Sequence, residues 1–247
     1  MKLTLAEPRY LRESISAISE LVNEVKLKVN KDMVEIVAMD PANVAMVVFK
    51  LLSSTFIDYD VKKDYELCVS LDHLKNIVRR AKPSDIITLK FDENKNKLNI
   101  LLKGDSERHF SLGLLDDEGK EQKIPDLKFS ANVETSALQF GEAIDDLDIV
   151  SDSINFIIDD GKFVLQGDGT TSSGRIEFGE GTKVVNKTNE SIKAKYSLEY
   201  LKKIAKAGKL SGHVGVYFGK DYPMMIEYKV VDKLVMKYIL APRVSND

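Results

Sequence analysis

The stretch YSLEYLKKIAKAGKLSG (residues 196–212) repeats the pattern of VSLDHLKNIVRRAKPSD (residues 69–85). Eight positions match at a spacing of 127 residues: Ser70 with Ser197, Leu71 with Leu198, Asp72 with Glu199, Leu74 with Leu201, Lys75 with Lys202, Ile77 with Ile204, Arg79 with Lys206, and Lys82 with Lys209. In both copies the apolar residues recur at helical spacing and bases occupy the other side. A single basic helix is usually only a solvated face, but a duplicated one in a chain of net charge -3 needs an explanation and raises the question of a negatively charged partner.

The repeat extends to the rest of each half. Apolar residues at helical spacing predict an opening helix over 9–22 and another over 137–150. Each opening helix is followed by a hairpin pattern, KLKVNKDMVEIVAMD (26–40) or NFIIDDGKFVLQGD (155–168), and the second turns on the type I′ dipeptide Asp160-Gly161. Strand-like runs follow both basic helices. Each half therefore has the order helix, strands, helix, strands.

Apolar periodicity stops between the halves, in LLDDEGKEQKIPDLKF (114–129). We therefore predict an N-terminal domain (1–113), an interdomain connector (114–128) and a C-terminal domain (129–247). Antiparallel sheets with helices on one face make an α+β fold class. Each helix has one apolar stripe, so its charged side should remain solvated.

Composition narrows the class of protein. A hydrophobic content of 43% over 247 residues suits an ordinary globular chain. No apolar run is long enough for a membrane span, and MKLTLAEPRY lacks the core of a signal peptide, so we expect an intracellular protein without membrane contact. The single cysteine, Cys68, excludes an internal disulfide and is expected to be a small buried hydrophobe.

Several motifs that could suggest chemistry have simpler interpretations. GDGTTSSGR (167–175) lacks the Lys and Ser or Thr of a phosphate loop and is better explained as a loop between strands. DENKNK (92–97) lacks the glycine of a calcium loop and predicts a hairpin turn. The cluster Asp145, Asp146 and Asp148 could bind metal, but its helical spacing favours a solvated acidic face. We expect no enzyme activity, no catalytic residue, no metal and no cofactor.

Five blocks of sequence carry a resemblance that covers essentially the whole chain: MDPANVAMVVF (39–49), DIITLKF (85–91), KIP (123–125), MMIEYKV (224–230) and KYILAPRV (237–244). Their order and spacing resemble the sliding clamps of the proliferating cell nuclear antigen family, in the short form typical of archaea. The resemblance implies a DNA-clamp fold, with a homotrimer forming a ring of six similar domains around duplex DNA. Helices would line the hole and sheets would lie outside.

The same resemblance implies partners and a location. Members have no catalytic activity; DNA polymerase, clamp loader, flap endonuclease and DNA ligase dock through short peptide motifs. The location would be the cytoplasm or nucleoid of an archaeon, or the nucleus of a eukaryote.

Site residues also follow from the resemblance. Basic residues that match hole-lining positions imply DNA binding without sequence preference: Arg9, Arg12, Lys75, Arg79, Arg80, Lys82, Lys202, Lys203, Lys206 and Lys209. The helix 137–150 departs from relatives, because it has Glu142 and the three aspartates where bases are common. This helix should contribute little to DNA attraction.

The resemblance implies two protein interfaces as well. Partner peptides would bind at Met39, Val44, Met46, Ile124, Pro125, Phe129, Pro223, Ala241, Pro242 and Arg243. Subunits would meet at Arg108, Phe110, Leu112, Leu147, Val150, Arg175, Ile176 and Phe178. From the residues alone, Met46 and Ile124 could equally be plain core, and Phe110 could pack inside its own domain.

Two alternative functions remain open at this point. The chain could be a partner-binding scaffold, or one subunit of a heteromeric clamp that forms no ring by itself. More distantly, it could be an enzyme with an unrecognised carboxylate site.

Overall fold

The computed structural model describes residues 1–116, 121–188 and 190–243. Two compact units account for them, and each takes one short segment from the other half of the chain. Unit 1 consists of Met1–Pro41, Val47–Ile124 and Val230–Met236, and unit 2 of Ala42–Met46, Pro125–Lys229 and Lys237–Asp247. Residues 117–120 of the predicted connector and Val244 lie outside the described residues.

Unit 1 has two helices and most of nine strands among its described residues. In chain order they are β1 (Lys2–Leu5), α1 (Pro8–Ile18), β2 (Glu24–Val29), β3 (Met33–Met39), β4 (Ala45–Leu52), β5 (Asp58–Asp60), β6 (Tyr65–Ser70), α2 (Leu71–Val78), β7 (Ile86–Asp92), β8 (Lys97–Lys103) and β9 (Glu107–Gly113). A five-stranded antiparallel sheet has the order β5-β1-β7-β8-β9, and a second run has the order β4-β3-β2-β6.

Unit 2 repeats the arrangement. Its elements in chain order are β10 (Ala131–Ser136), α3 (Ala137–Leu147), β11 (Ser153–Asp159), β12 (Lys162–Asp168), β13 (Ser173–Glu177), β14 (Lys183–Asn186), β15 (Ile192–Ser197), α4 (Leu198–Ala205), β16 (His213–Phe218), β17 (Met224–Val230) and β18 (Leu234–Leu240). Val230 of β17 and the first three residues of β18 are counted with unit 1. One run has the order β14-β10-β16-β17-β18, and a four-stranded sheet has the order β13-β12-β11-β15. This is the predicted α+β clamp fold of two similar domains.

Most strands alternate buried residues with more exposed ones, as a sheet with one covered face requires, although β4 is buried at five consecutive positions. In β18, for example, Leu234, Met236, Tyr238 and Leu240 are buried and the residues between them are half-buried. The helices bury one stripe each, with Leu11, Ile15 and Ile18 inside on α1 and Phe140, Ile144 and Leu147 inside on α3. The core of each unit therefore lies between its sheets and its helix pair.

The predicted hairpins are confirmed. Asp160 and Gly161 both have positive φ, 47° and 72°, as a type I′ turn between β11 and β12 requires. DENKNK turns between β7 and β8, with Asn96 at φ 49°. GDGTTSSGR ends β12 and begins β13, so it joins two neighbouring strands.

Two expectations were wrong in detail. The opening helices end at Ile18 and Leu147, several residues before Val22 and Val150, although Val22 remains buried beyond the helix end. Cys68 is half-buried because its side chain shares a face of β6 with the exposed Glu66, opposite the buried Leu67 and Val69.

Asp85 is a buried charge that connects three elements of unit 1. It is 1% exposed and precedes β7; its carboxylate accepts a hydrogen bond from the Lys82 backbone N–H at 2.7 Å and pairs with the Arg108 guanidinium of β9. Arg108 also donates to the Arg80 carbonyl at 2.9 Å, just after α2. Gly104 allows this packing, because a Cβ there would lie only 1.9 Å from Asp85 Oδ1.

We expect Asp85→Ala to lower the free energy of unfolding by about 2 to 4 kcal/mol, since it leaves Arg108 and the Lys82 N–H without their shared acceptor. Chemical denaturation followed by circular dichroism measures this change. The matched control is Asp105→Ala, which breaks an exposed pair with Lys82 Nζ at 2.8 Å and should leave the stability almost unaltered. Equal losses in the two variants would contradict the structural role of Asp85.

Candidate nucleic-acid interface

Eight of the ten basic residues predicted to face DNA lie on α2 and α4 or in the turns that directly follow these helices, and the other two, Arg9 and Arg12, lie on α1. On α2 the residues Leu71, Leu74 and Val78 are buried, so the opposite side is solvated. There Lys75 is half-buried, whereas Arg79, Arg80 and Lys82 are exposed.

The α4 helix repeats this arrangement. Leu198, Leu201 and Ile204 are buried, and the lysines lie on the other side and in the following 3₁₀ turn. Lys202 and Lys203 are half-buried, and Lys206 and Lys209 are exposed. The structure thus brings the duplicated bases onto equivalent solvated faces, one in each unit.

In unit 1, several of these basic side chains pair with a carboxylate of the same unit. Arg12 on α1 pairs with Glu13 at 3.0 Å, and its Nη1 donates to the Ala81 carbonyl at 3.3 Å. Lys75 Nζ lies 3.8 Å from a Glu20 oxygen, and Lys82 Nζ lies 2.8 Å from Asp105. Arg9 is exposed on the first turn of α1.

In unit 2, Lys202 and Lys203 lie closer to their carboxylate partners than Lys75 of unit 1 does. Lys202 donates a hydrogen bond to the Asp148 carboxylate, and Lys203 lies 2.7 Å from Glu199 one turn earlier on α4. The hydrogen bond to Asp148 is the main cause that raises the pKa of Lys202. The bond from Lys203 lowers the pKa of Glu199 in the same way.

The acidic residues of α3 lie on its solvated side. Glu142, Asp145, Asp146 and Asp148 are exposed, whereas the apolar stripe of the helix is buried. Among the described residues, no group of three His, Cys, Asp or Glu side chains is placed to hold a metal ion. No helix in the described ranges has the length and hydropathy needed to cross a membrane.

The predicted peptide-binding residues differ widely in exposure. In unit 1, Met39 is half-buried and Ile124 is 49% exposed. In unit 2, Met46 is 3% exposed and so behaves as core. The other unit 2 members are half-buried or exposed: Val44, Pro125, Phe129, Pro223, Ala241, Pro242 and Arg243.

Two tyrosines extend the unit 2 part of this set and were not predicted. The Phe129 ring centroid lies 5.9 Å from that of Tyr217 and 6.1 Å from that of Tyr222, which forms an aromatic cluster of half-buried side chains. The alternation in HVGVYFG could have revealed Tyr217, because burial of Val216 and Phe218 places it on the opposite face of β16. No local pattern marks Tyr222.

Arg243, the last described residue, is held within unit 2. Its guanidinium lies 2.9 Å from an Asp152 oxygen, and its backbone N–H donates to the Lys195 carbonyl at 2.7 Å. Ala241 donates its N–H to the Val44 carbonyl at 2.9 Å. These contacts hold residues 241–243 within unit 2, the unit that also contains the aromatic cluster.

The predicted subunit edges fall on terminal strands of their sheets. In the described residues, β9 ends the five-stranded order and β13 ends the four-stranded order. Such strands offer backbone groups to another chain. Arg175, Ile176 and Phe178 lie on or beside β13, with Arg175 exposed and the other two half-buried.

Not every predicted interface residue is available to a second chain. Phe110 is half-buried on β9, but Leu112 and Leu147 are 6% and 1% exposed. Leu147 and the half-buried Val150 pack over β13, where a Cβ on Gly174 would lie 2.8 Å and 3.3 Å from them. The guanidinium of Arg108 already pairs with the Asp85 carboxylate. Leu112 and Leu147 therefore serve mainly the cores of their own units.

Comparison with known proteins places this geometry in a family. The model of the proliferating cell nuclear antigen N-terminal domain matches residues 1–118, and that of the C-terminal domain matches residues 123–243. The chain belongs to the proliferating cell nuclear antigen family.

Individual relatives span nearly all of the chain. A DNA polymerase sliding clamp from Nanoarchaeum equitans is 34% identical over 98% of this chain and 99% of that protein. One from Pyrococcus furiosus is 34% identical over 94% of both chains. The crystal structure of the proliferating cellular nuclear antigen from Entamoeba histolytica has the same fold, with a TM-score of 0.92 over 98% of both chains at 19% identity.

Proposed function

We propose that this protein is a DNA polymerase sliding clamp that acts as a closed ring of three identical chains around duplex DNA. The observation that carries the proposal is the match of both family models, together with curated relatives that bear the name DNA polymerase sliding clamp over nearly the whole chain. The function is that of a processivity factor in DNA replication, which tethers an enzyme to its template. It requires no catalysis by the clamp, and its place is inside the cell.

The physical demands of sliding fit the side chains that the helices present. Reading sequence needs side chains fixed against base edges, whereas sliding needs mobile positive charge near phosphates. Lysine on a flexible stem and exposed arginine supply such charge, and they contact every sequence alike. Retention then comes from closure of the ring, because a closed ring leaves DNA only over a free end.

Closure is expected where the edge strand β9 of one chain meets β13 of the next. Head-to-tail pairing of two unlike edges forms a ring when the rotation closes. We therefore expect a solution mass near three times 27.7 kDa. A partner-binding scaffold, or a subunit of a heteromeric clamp, would instead run near one chain mass.

Phe110→Ala tests the assignment of the β9 edge. We expect it to shift the assembly towards monomer at sub-micromolar concentration, since Phe110 is the large apolar side chain on β9 that remains partly exposed. Light scattering on dilute samples measures the mass. His109→Ala is the matched control, because His109 lies on the opposite, exposed face of the same strand. If both variants keep the parent mass at every concentration, Phe110 is not an anchor.

Topological retention is tested on closed and open DNA. After loading, the protein should persist on circular duplex and be lost from linear duplex of the same sequence. Gel filtration of labelled clamp on the two substrates measures this lifetime. Equal lifetimes would show that no closed ring surrounds the DNA.

Arg79→Ala with Arg80→Ala tests the phosphate contact itself. Both side chains are exposed beside α2 and form no ion pair within the described residues. The double variant should weaken low-salt affinity for every duplex sequence and reduce the slope of log affinity against log salt by about 0.9 per lost phosphate contact. Lys31→Ala with Lys62→Ala removes two exposed charges of unit 1 away from the helices and should change affinity much less. Equal losses would contradict a helix-borne interface.

Partner enzymes are proposed to dock through a short apolar peptide at the predicted docking set. DNA polymerase, clamp loader, flap endonuclease and DNA ligase are the expected partners. Ile124 offers partly exposed apolar surface, and the cluster of Phe129, Tyr217 and Tyr222 offers aromatic surface on unit 2. Arrangements of this kind suit capture of apolar side chains.

Ile124→Ala with Pro125→Gly should weaken binding of a synthetic clamp-binding peptide about tenfold, because burial of an isoleucine side chain contributes about 1.5 to 3 kcal/mol. Calorimetry measures the affinity, and light scattering checks that the assembly is unchanged. Val231→Ala, which trims another exposed apolar side chain, should have no effect. Unaltered affinity in the double variant would disprove this docking site.

A further inference from the structure

We propose that the two basic helices contribute unequally to DNA contact, because Asp148 at the end of α3 holds Lys202 of α4 away from phosphate. The proposal rests on the sliding-clamp function proposed above and goes beyond it. It assigns most of the electrostatic grip to the helices of unit 1. Asp148 acts as an affinity-limiting residue for the DNA contact.

The helices of the two units differ in their balance of charge. We compare four twelve-residue segments, each a helix with its cap or following turn: 8–19 and 71–82 in unit 1, and 137–148 and 198–209 in unit 2. The unit 1 segments hold six bases and two acids, a net charge of +4. The unit 2 segments hold four bases and five acids, a net charge of -1. The negative charge of α3 therefore offsets the positive charge of the duplicated lysines on α4.

The same lysine of the repeat is paired differently in the two copies. Lys75 and Lys202 are matched positions of the repeat, and each faces an acid just after the neighbouring helix. In unit 1 the acid is Glu20, and its oxygen lies 3.8 Å from Lys75 Nζ, beyond hydrogen-bond distance. In unit 2 the acid is Asp148, which accepts a direct hydrogen bond from Lys202. The unit 2 pair is therefore the tighter one.

The α3 helix fixes the position of Asp148. Asp148 is the C-cap of α3, and its backbone N–H donates to the Ile144 carbonyl at 3.1 Å. The buried Ile144 and Leu147 anchor this end of the helix in the core. Lys202 has further N–H donors, but a phosphate that accepted from one of them would lie close to the Asp148 carboxylate, which repels it. The exposed Asp145, which also raises the pKa of Lys202, adds to this repulsion.

These acids lie close enough to act on bound DNA. At about 0.1 M salt, charges interact over roughly 10 Å. A phosphate that reaches Lys202 would therefore also interact unfavourably with Asp148 and Asp145. By contrast, Arg79 and Arg80 are exposed and form no ion pair within the described ranges, so phosphate contact there displaces no carboxylate.

Asp148→Asn tests the proposal, with Asp146→Asn as the matched control. Both changes remove one negative charge from the exposed end of α3, but only the first breaks the pair with Lys202. Affinity of the assembled full-length protein for a fluorescein-labelled duplex of mixed sequence is measured by anisotropy over a range of salt. We expect Asp148→Asn to raise low-salt affinity about threefold or more and to steepen the salt slope by about 0.9, the value of one added phosphate contact. Asp146→Asn should leave the slope unchanged.

Two lysine variants complete the test. Lys202→Ala should weaken binding of the parent protein less than Lys75→Ala does, although the two positions match in sequence. In the Asp148→Asn background, Lys202→Ala should abolish the gain. Because all four side chains lie on solvated faces, circular dichroism and mass should stay at parent values.

The outcomes separate this inference from the proposed function. Equal gains in the Asp148 and Asp146 variants without a change of slope would mean general repulsion, and the specific role of the pair would be wrong. A larger loss for Lys202→Ala than for Lys75→Ala would also overturn the inference. If the parent binds DNA, weakens with Arg79→Ala and Arg80→Ala, and is unaffected by Asp148→Asn, the inference alone fails. If the parent has no salt-dependent affinity for duplex at all, the proposed DNA contact fails with it.

Discussion

One-sided burial of four short helices is the constraint on which the rest of each unit depends. The helices have 8 or 11 residues, too few to be stable in water without tertiary packing. Each must therefore press its apolar stripe into the core, as Leu74 and Val78 do on α2 and Leu201 and Ile204 do on α4. The orientation that gives stability also determines which side is solvated. Charged side chains on the polar stripe of a helix consequently face the solvent.

The junctions of β6 with α2 and of β15 with α4 keep this orientation without a capping side chain, whereas Ser136 caps α3 by accepting from the Gln139 N–H at 3.4 Å. Ser70 and Ser197 precede α2 and α4, but neither caps its helix through its hydroxyl. Instead the first helical N–H groups donate to carbonyls of a preceding loop, Leu71 to Asn23 at 2.8 Å and Leu198 to Asp152 at 3.0 Å. Since otherwise unsatisfied donors are met by the backbone, the junction depends on the fold rather than on local sequence. That explains why the same geometry recurs in two halves of different sequence.

The features of the fold that depend on apolar periodicity and turn chemistry could be predicted from the sequence. The four helices, the Asp160-Gly161 hairpin and the solvated basic faces were predicted from it, because spacing of apolar residues decides which side is buried. Contacts between distant elements could not be predicted in the same way. Asp85 and Arg108 lie 23 residues apart and meet only because β7, β8 and β9 pair, so no local pattern could predict their contact. The pairing of Lys202 with Asp148, 54 residues away, likewise depends on packing of α3 against α4.

A clamp that slides gains nothing from the strongest possible grip. Each charged contact with phosphate that must be broken at every step adds friction, whereas a closed ring already prevents escape without any contact. Under the proposed function, carboxylates such as Asp148 and Glu199 act like bound counterions. Their ion pairs orient Lys202 and Lys203 and reduce the attraction of these lysines for DNA. The exposed arginines beside α2 then supply the initial attraction. Attraction for DNA would then lie mainly on the helices of unit 1, and the helices of unit 2 would be close to neutral.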